Sequence, residues 1–140
     1  MKINKLQGLL SGLILGMTCG IASAADNIGF IYVSPAGEAG WSHQHDLGRK
    51  KMEQALDGKV TTQFVESVKE GADAERVIRE MAKRGDKVIF ATSFGYMNPM
   101  LKVSKQFPNT AFMHATGYKL GKNMGLYNAR FYEGRYLTGV

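Results

Sequence analysis

Short apolar runs that alternate with stretches of helical periodicity constrain this chain more than any single motif does. The runs are residues 27–33 (NIGFIYV), Val60–Val65, 87–91 (KVIFA), 110–115 (TAFMHA) and 123–129 (NMGLYNA). The first is nearly continuous in apolar side chains, as a strand covered on both faces must be, and the second alternates. Between them the period changes to that of a helix. In residues 40–56 Trp41, His45, Gly48, Met52, Ala55 and Leu56 recur at three and four, which marks them as an inner face, and Asp57-Gly58 closes the helix. In GADAERVIREMAKRG, Ala74, Val77, Ile78, Met81 and Ala82 form one stripe. Glu75 with Arg79, and Arg76 with Glu80, are opposite charges four apart on its outer side. Asn98 is placed to cap a third helix with Pro99 at its first position, Met100, Leu101, Ser104 and Phe107 facing inward. Another helix starts near Glu133. Strands joined through helices pair in parallel by right-handed crossovers, so the expected class is α/β, a Rossmann-like parallel sheet flanked by helices.

The first 24 residues stand apart from this pattern. Lys2 and Lys5, an apolar run and Ala22-Ser23-Ala24 have the three-part layout of a secretory signal peptide, with cleavage expected after Ala24. The apolar run is too short for about 30 Å of hydrocarbon, and glycines break it. Cys19 is the chain's only cysteine, and Gly16 and Thr18 ahead of it do not make a lipidation pattern. Without this segment the chain has neither a disulfide nor a thiol nucleophile. The loss of Lys2 and Lys5 lowers the formal charge from +6 to +4. The remaining Lys and Arg are scattered among Glu and Asp, which describes a solvated surface and not a nucleic-acid footprint.

In an open parallel sheet ligands bind beyond the carboxyl ends of the strands, where strand order reverses. For an order 2-1-3-4-5 that point lies between the first and third strands, which places SPAGEAGW (34–41) and TSFGYMN (92–98) at the site. HATG, ending the fourth strand with His114, lies beside them. The stretch SPAGEAGWSHQHD raises a metal reading, but His43 and His45 are two apart and diverge by about 200° on a helix. Zinc-type helical pairs sit four apart, and nothing here matches. A Ser-His-Asp set could be drawn from Ser42, His114 and Asp46, yet no nucleophile-elbow motif surrounds any serine. Gly37-x-x-Gly40 lacks both the dinucleotide fingerprint and the lysine of a P-loop. No metal, cofactor or catalytic residue is therefore expected. Aromatic recognition remains. Trp41 and Phe94 come from neighbouring loops, and two such rings can grip a planar ligand by stacking; core packing is the alternative role for each.

These segments also carry a resemblance. IGFIYVSPAGEAGWSHQHDLGRKKME, then EGADAERVIREMAKRGDKVIFATSFGYMNPMLKVSKQFPNTAFMHATGYK, then YNARFYEGRYLTGV resemble, in order, the basic membrane protein family, exported solute-binding proteins of ABC importers akin to the purine nucleoside receptor. The resemblance implies a type I periplasmic-binding fold in which residues 25–140 form the first lobe and the second lobe lies outside this chain. It implies a purine nucleoside or nucleobase held between lobes, an ABC permease as partner, a periplasmic or other extracytoplasmic location, and no catalysis. By position, Trp41 stands at the family's stacking aromatic, usually Phe in an F-N-Q stretch, with Ser42 and His43 in place of Asn and Gln. Gly48 matches the glycine seven residues on. Ser93 and Phe94 match the second-loop position, and His114 stands where many relatives have an acid. Two other readings stay open: a small exported α/β hydrolase-type enzyme with His114 or His43 as base, and an inactive fragment whose half-site is never completed.

Overall fold

The computed structural model describes residues 25–139, so the expected signal peptide, residues 1–24, lies outside the described residues. Five strands, β1 (Asp26–Ile31), β2 (Val60–Val65), β3 (Val88–Ala91), β4 (Ala111–Ala115) and β5 (Met124–Tyr127), form one sheet. Their order is β2-β1-β3-β4-β5 and every pairing is parallel, as the sequence pattern requires. The connections carry α1 (Trp41–Ala55), α2 (Ala72–Arg84) and α3 (Met97–Ser104), the last entered through a short 3₁₀ turn at Phe94–Tyr96. α4 (Phe131–Thr138) follows β5. No described helix is long and apolar enough to cross a membrane.

α2 and α3 cover one face of the sheet. The expected stripe Ala74, Val77, Ile78, Met81 and Ala82 is buried in full against Ile31, Ile89 and Phe112. Glu75 and Arg79 pair at 2.7 Å and Arg76 and Glu80 at 3.3 Å on the outside. α2 ends at Gly85, whose left-handed φ of 96° suits a residue without a Cβ. Gly29 in β1 is needed for another reason: a Cβ there would lie 2.6 Å from Asp86 Oδ2 and 2.9 Å from Met81 Sδ, so α2 packs directly on backbone.

α1 lies on the opposite face, over Ile28, Phe30 and Tyr32, and here the sequence reading needs correction. The buried residues of α1 are Ser42, Asp46 and Arg49, while Gly48 and Ala55 are exposed and Trp41, His45, Met52 and Leu56 are half-buried. Periodicity of apolar residues cannot see polar ones that become satisfied on burial. Arg49 Nε donates to Asp46 Oδ1 at 2.8 Å and its Nη1 to Thr62 Oγ1 at 2.6 Å, with the guanidinium over the Phe64 ring. Tyr32 Oη donates to Asp46 at 3.5 Å, and Lys50 pairs with the second carboxylate oxygen at 2.8 Å. Burial disfavours the Asp46 anion, but the Lys50 and Arg49 contacts outweigh it and hold the carboxyl below its ordinary range. The apolar flank of α1 instead borders a depression of about 180 Å3 lined by Phe30, Phe90 and Tyr127.

Smaller differences concern boundaries. The first strand ends at Ile31: Tyr32 N–H still donates to Val65 O, but Tyr32 O accepts from Val68 N–H, beyond the end of β2. Asn98 lies inside α3 and does not cap it; its side-chain oxygen accepts from Lys119 Nζ at 2.8 Å. The preceding 3₁₀ turn supplies the entry that a cap would otherwise provide.

Candidate functional site

β2 and β3 lie on either side of β1, so the chain leaves β1 toward one side and β3 toward the other. The loops that follow, residues 32–40 and 92–93, leave the carboxyl edge of the sheet at the point where an open parallel sheet is expected to form its ligand crevice. Trp41 bridges the two loops. Its indole N–H donates to the carbonyl of Thr92, at the end of β3. Thr92 is itself fixed by its N–H and its Oγ1, both donating to Ile31 O, at 3.2 and 2.9 Å. The indole ring is flanked by His45, with centroids 4.5 Å apart and tilted, and by Phe131 of α4, nearly parallel at 5.8 Å. Trp41 is half-buried in this setting.

The first loop is held by its own polar groups. Gly37 and Gly40 take positive φ, 41° and 93°, which turns the chain into α1. Ser34 and Ser42 share a hydrogen bond at 2.7 Å, and the ring of His43 bonds Gly37 O through Nδ1 at 2.9 Å. Ser42 is 1% exposed, so its hydroxyl braces the loop and does not face the crevice. His43 is half-buried over the same turn. His45 bonds Trp41 O through Nδ1 at 2.9 Å, which satisfies it as a packing residue.

In the second loop Phe94 is 56% exposed and offers a ring to solvent. Tyr118, 69% exposed, stands beside it with ring centroids 6.2 Å apart. Ser93 does not face a ligand with its hydroxyl free: Oγ donates to Glu70 at 2.6 Å. Its carbonyl bonds His114 Nε2 at 2.8 Å. His114 is completely buried, and among the described residues its Nδ1 is the buried side-chain polar atom without a hydrogen-bond partner. That assigns the proton to Nε2. Burial lowers the pKa of the ring against the opposing pull of the Ser93 carbonyl, so the imidazole is held neutral. Gly117 lies so near that a Cβ on it would run into Nδ1.

The six residues singled out from sequence thus divide. Ser42 and His114 are buried; Trp41, His43 and Ser93 are half-buried with their polar atoms bonded to protein groups; Phe94 alone of the six is exposed. Ser42, Asp46 and His114 belong to three separate networks, so they form no nucleophile and base pair. Among the described residues no group of three or more His, Cys, Asp or Glu could hold a metal ion. Sequence reasoning missed Tyr118, Phe131 and Glu70. The available signal was topological: a parallel sheet brings every strand's carboxyl end to one edge, so the segments after β2, β4 and β5 also reach it.

A parallel sheet whose strand order reverses between β1 and β3, edged there by Trp41 and Phe94, is an α/β arrangement of the class that carries ligands at the carboxyl ends of its strands. Comparison with known proteins is specific. Residues 25–140 match the family model described as Bmp, ABC transporter substrate-binding protein PnrA-like, and the chain belongs to that family. It is 55% identical over 133 residues to a purine-binding protein of Brucella abortus (strain 2308), a match covering 94% of this chain and 37% of the relative. It is 42% identical over 113 residues to a putative ABC transporter glucose-binding protein of Haloferax volcanii, covering 81% of this chain and 28% of the relative. The fold resembles that of an ABC transporter system solute-binding protein from Conexibacter woesei DSM 14684. That similarity has a TM-score of 0.73 at 19% identity and covers 82% of this chain and 39% of that one. The chain therefore spans well under half the length of these proteins. The family is described as ABC transporter substrate-binding proteins, and the hydrolase reading finds no support in it.

Proposed function

We propose that this chain supplies the first lobe, residues 25–140, of the solute-binding component of an ABC importer. It acts outside the cytoplasm after removal of residues 1–24, and binds a purine nucleoside or nucleobase between two lobes for delivery to a membrane permease. The observation that carries this reading is the pair of aromatic side chains, Trp41 and Phe94, on the two loops that flank the reversal point of the sheet. Flat rings on adjacent loops recognise flat ligands, and each stacked base contributes about 1–3 kcal/mol. The purine-binding relative at 55% identity supports the ligand class. Ser93 and His114 shape the second loop, and Ser42 and His43 the first, so that the aromatic side chains are presented on a rigid edge.

The experiment is calorimetry with adenine, adenosine, guanosine and glucose on the longest polypeptide that the gene encodes. Binding of a purine at micromolar concentration or tighter, with no heat from glucose, is the expected result. Binding of glucose alone would replace the ligand class while leaving the site in place. Absence of binding to all four would refute the proposal.

A further inference from the structure

Between β2 and α2 runs the segment 66–71 (ESVKEG), which attaches to both loops of the crevice although it belongs to neither. Glu66 Oε2 accepts from Ala36 N–H at 2.9 Å, in the loop after β1. Two residues on, Val68 is anchored from both sides. Its N–H donates to Tyr32 O at 3.1 Å and its carbonyl accepts from Tyr96 Oη at 2.6 Å. Both tyrosines are completely buried, so these anchors are shielded from water. Glu70 then reaches the other loop: Oε1 accepts from Ser93 Oγ at 2.6 Å and from Gly95 N–H at 3.1 Å. Gly95 fits this contact and nothing larger does, since a Cβ there would run into the Glu70 carboxyl group. Ser67, between the two halves, adopts a left-handed φ of 57°. Such a φ is uncommon for a residue other than glycine.

We infer that segment 66–71 is a strap that sets the spacing of the two recognition loops, with Glu70 as the positioning residue for Phe94 and Glu66 for the turn leading to Trp41. Glu66 and Glu70 do their work as hydrogen-bond acceptors toward protein groups, and Phe94, between the two residues that Glu70 holds, stays exposed. The functional half of this inference rests on the binding reading above; the structural half does not. Ser93 is gripped at both ends, by Glu70 on its hydroxyl and by His114 on its carbonyl, so Phe94, the next residue, inherits a fixed backbone direction. A ligand that stacks on Phe94 then meets a ring that needs no reordering, and preorganisation of this kind appears as affinity.

The test uses Glu70→Ala, Glu70→Gln, Glu66→Ala and Gly95→Ala, with amide hydrogen exchange read at Ala36 and Gly95 in the absence of ligand. Loss of a single acceptor should raise exchange at the bonded amide about fivefold to tenfold. Glu70→Ala should do so at Gly95 and Glu66→Ala at Ala36, whereas Glu70→Gln keeps an acceptor oxygen and should stay close to the parent. Gly95→Ala should act like Glu70→Ala on purine affinity in the longest gene product, and the double variant should be no worse than either alone. Glu70→Ala is expected to weaken purine binding by about tenfold, and Glu70→Gln to restore most of it. Unchanged exchange at Gly95 in Glu70→Ala overturns the strap, whatever the ligand results. Equal loss of affinity in Glu70→Ala and Glu70→Gln, with Gly95 exchange still low in the latter, would make the carboxylate a charge felt by the ligand and would also overturn it. If the parent protein binds no purine, the binding proposal fails by itself, and the exchange comparison still decides the strap.

Discussion

The indole N–H of Trp41 donates to the backbone carbonyl of Thr92, tying the first turn of α1 to the end of β3. In the proposed function this side chain has two separable properties: a polar edge that fixes the fold locally, and a ring, flanked here by His45 and Phe131, that stacks on the ligand.

Those two properties give the first prediction. Trp41→Phe removes the donor and keeps a ring, so it should cost about 1 kcal/mol of stability while most of the purine affinity survives. Trp41→Ala should lose a similar amount of stability or more and also weaken purine binding by about 1–3 kcal/mol. Urea denaturation and calorimetry on the longest gene product separate the two effects. If Trp41→Ala binds purine as the parent does, the indole is an anchor for α1 and nothing else.

The second prediction concerns His114. Its ring is buried and held neutral, so its pKa in the folded state lies below the ordinary value of about 6.5. Below that value the unfolded chain takes up a proton that the folded chain refuses. The unfolded state then binds more protons, and stability falls as pH drops from about 6.5 toward the folded pKa. Above about 6.5 neither state is charged at this site and the penalty vanishes. His114→Gln can retain a donor to Ser93 O without titrating. Urea midpoints between neutral and mildly acid pH should fall less steeply for this variant than for the parent. Equal slopes would show that His114 is not the group responsible.

A third prediction tests the polar network under α1. Asp46→Ala leaves the Arg49 guanidinium buried with only Glu53 and Thr62 as partners. Breaking one side of a buried pair costs about 3 kcal/mol or more, and Asp46→Asn, which keeps an acceptor, should cost less. Because the Asp46 carboxyl titrates below its ordinary range, its contribution is complete above about pH 4 and is lost as pH falls through the folded value. A urea midpoint unchanged by Asp46→Ala would show that the network is ornamental to stability.

How far the sequence could be read follows from the same contrasts. The strands and the buried stripe of α2 were legible because apolar side chains recur at the period of the element that buries them, whereas the strand order entered the sequence reading only as a condition. α1 was legible as a helix but not as a packed one: Ser42, Asp46 and Arg49 face the sheet, and a polar residue looks exposed until its partner is known. The partners, Ser34, Tyr32 and Thr62, are 8 to 14 residues away in the chain. Of the site, the two loops and their aromatic side chains could be placed from topology alone. Their bracing by Glu66, Glu70 and His114 could not, because it depends on side-chain reach between loops 21 to 30 residues apart.

The last prediction is that residues 25–140 alone bind purines weakly and self-associate. In the proposed function the ligand is enclosed by closing two surfaces, and the second lies outside this chain, which spans 37% of its purine-binding relative. With one wall, a ring stacked on Phe94 or Trp41 stays wet on its far side, and its polar groups remain bonded to water. Apolar surface is uncovered at the same time. α4 buries none of its residues, and Tyr132, Tyr136 and Leu137 are all more than half exposed. A helix of eight residues is marginal without packing, so its apolar side chains are available to another molecule. Sedimentation of residues 25–140 should show association that grows with concentration, and charged substitutions at Tyr136 and Leu137 should reduce it. Calorimetry with adenine, adenosine and guanosine should give no measurable heat at micromolar ligand. Tight purine binding by a demonstrated monomer would show that the crevice described here is complete by itself, and the two-walled mechanism would have to be abandoned.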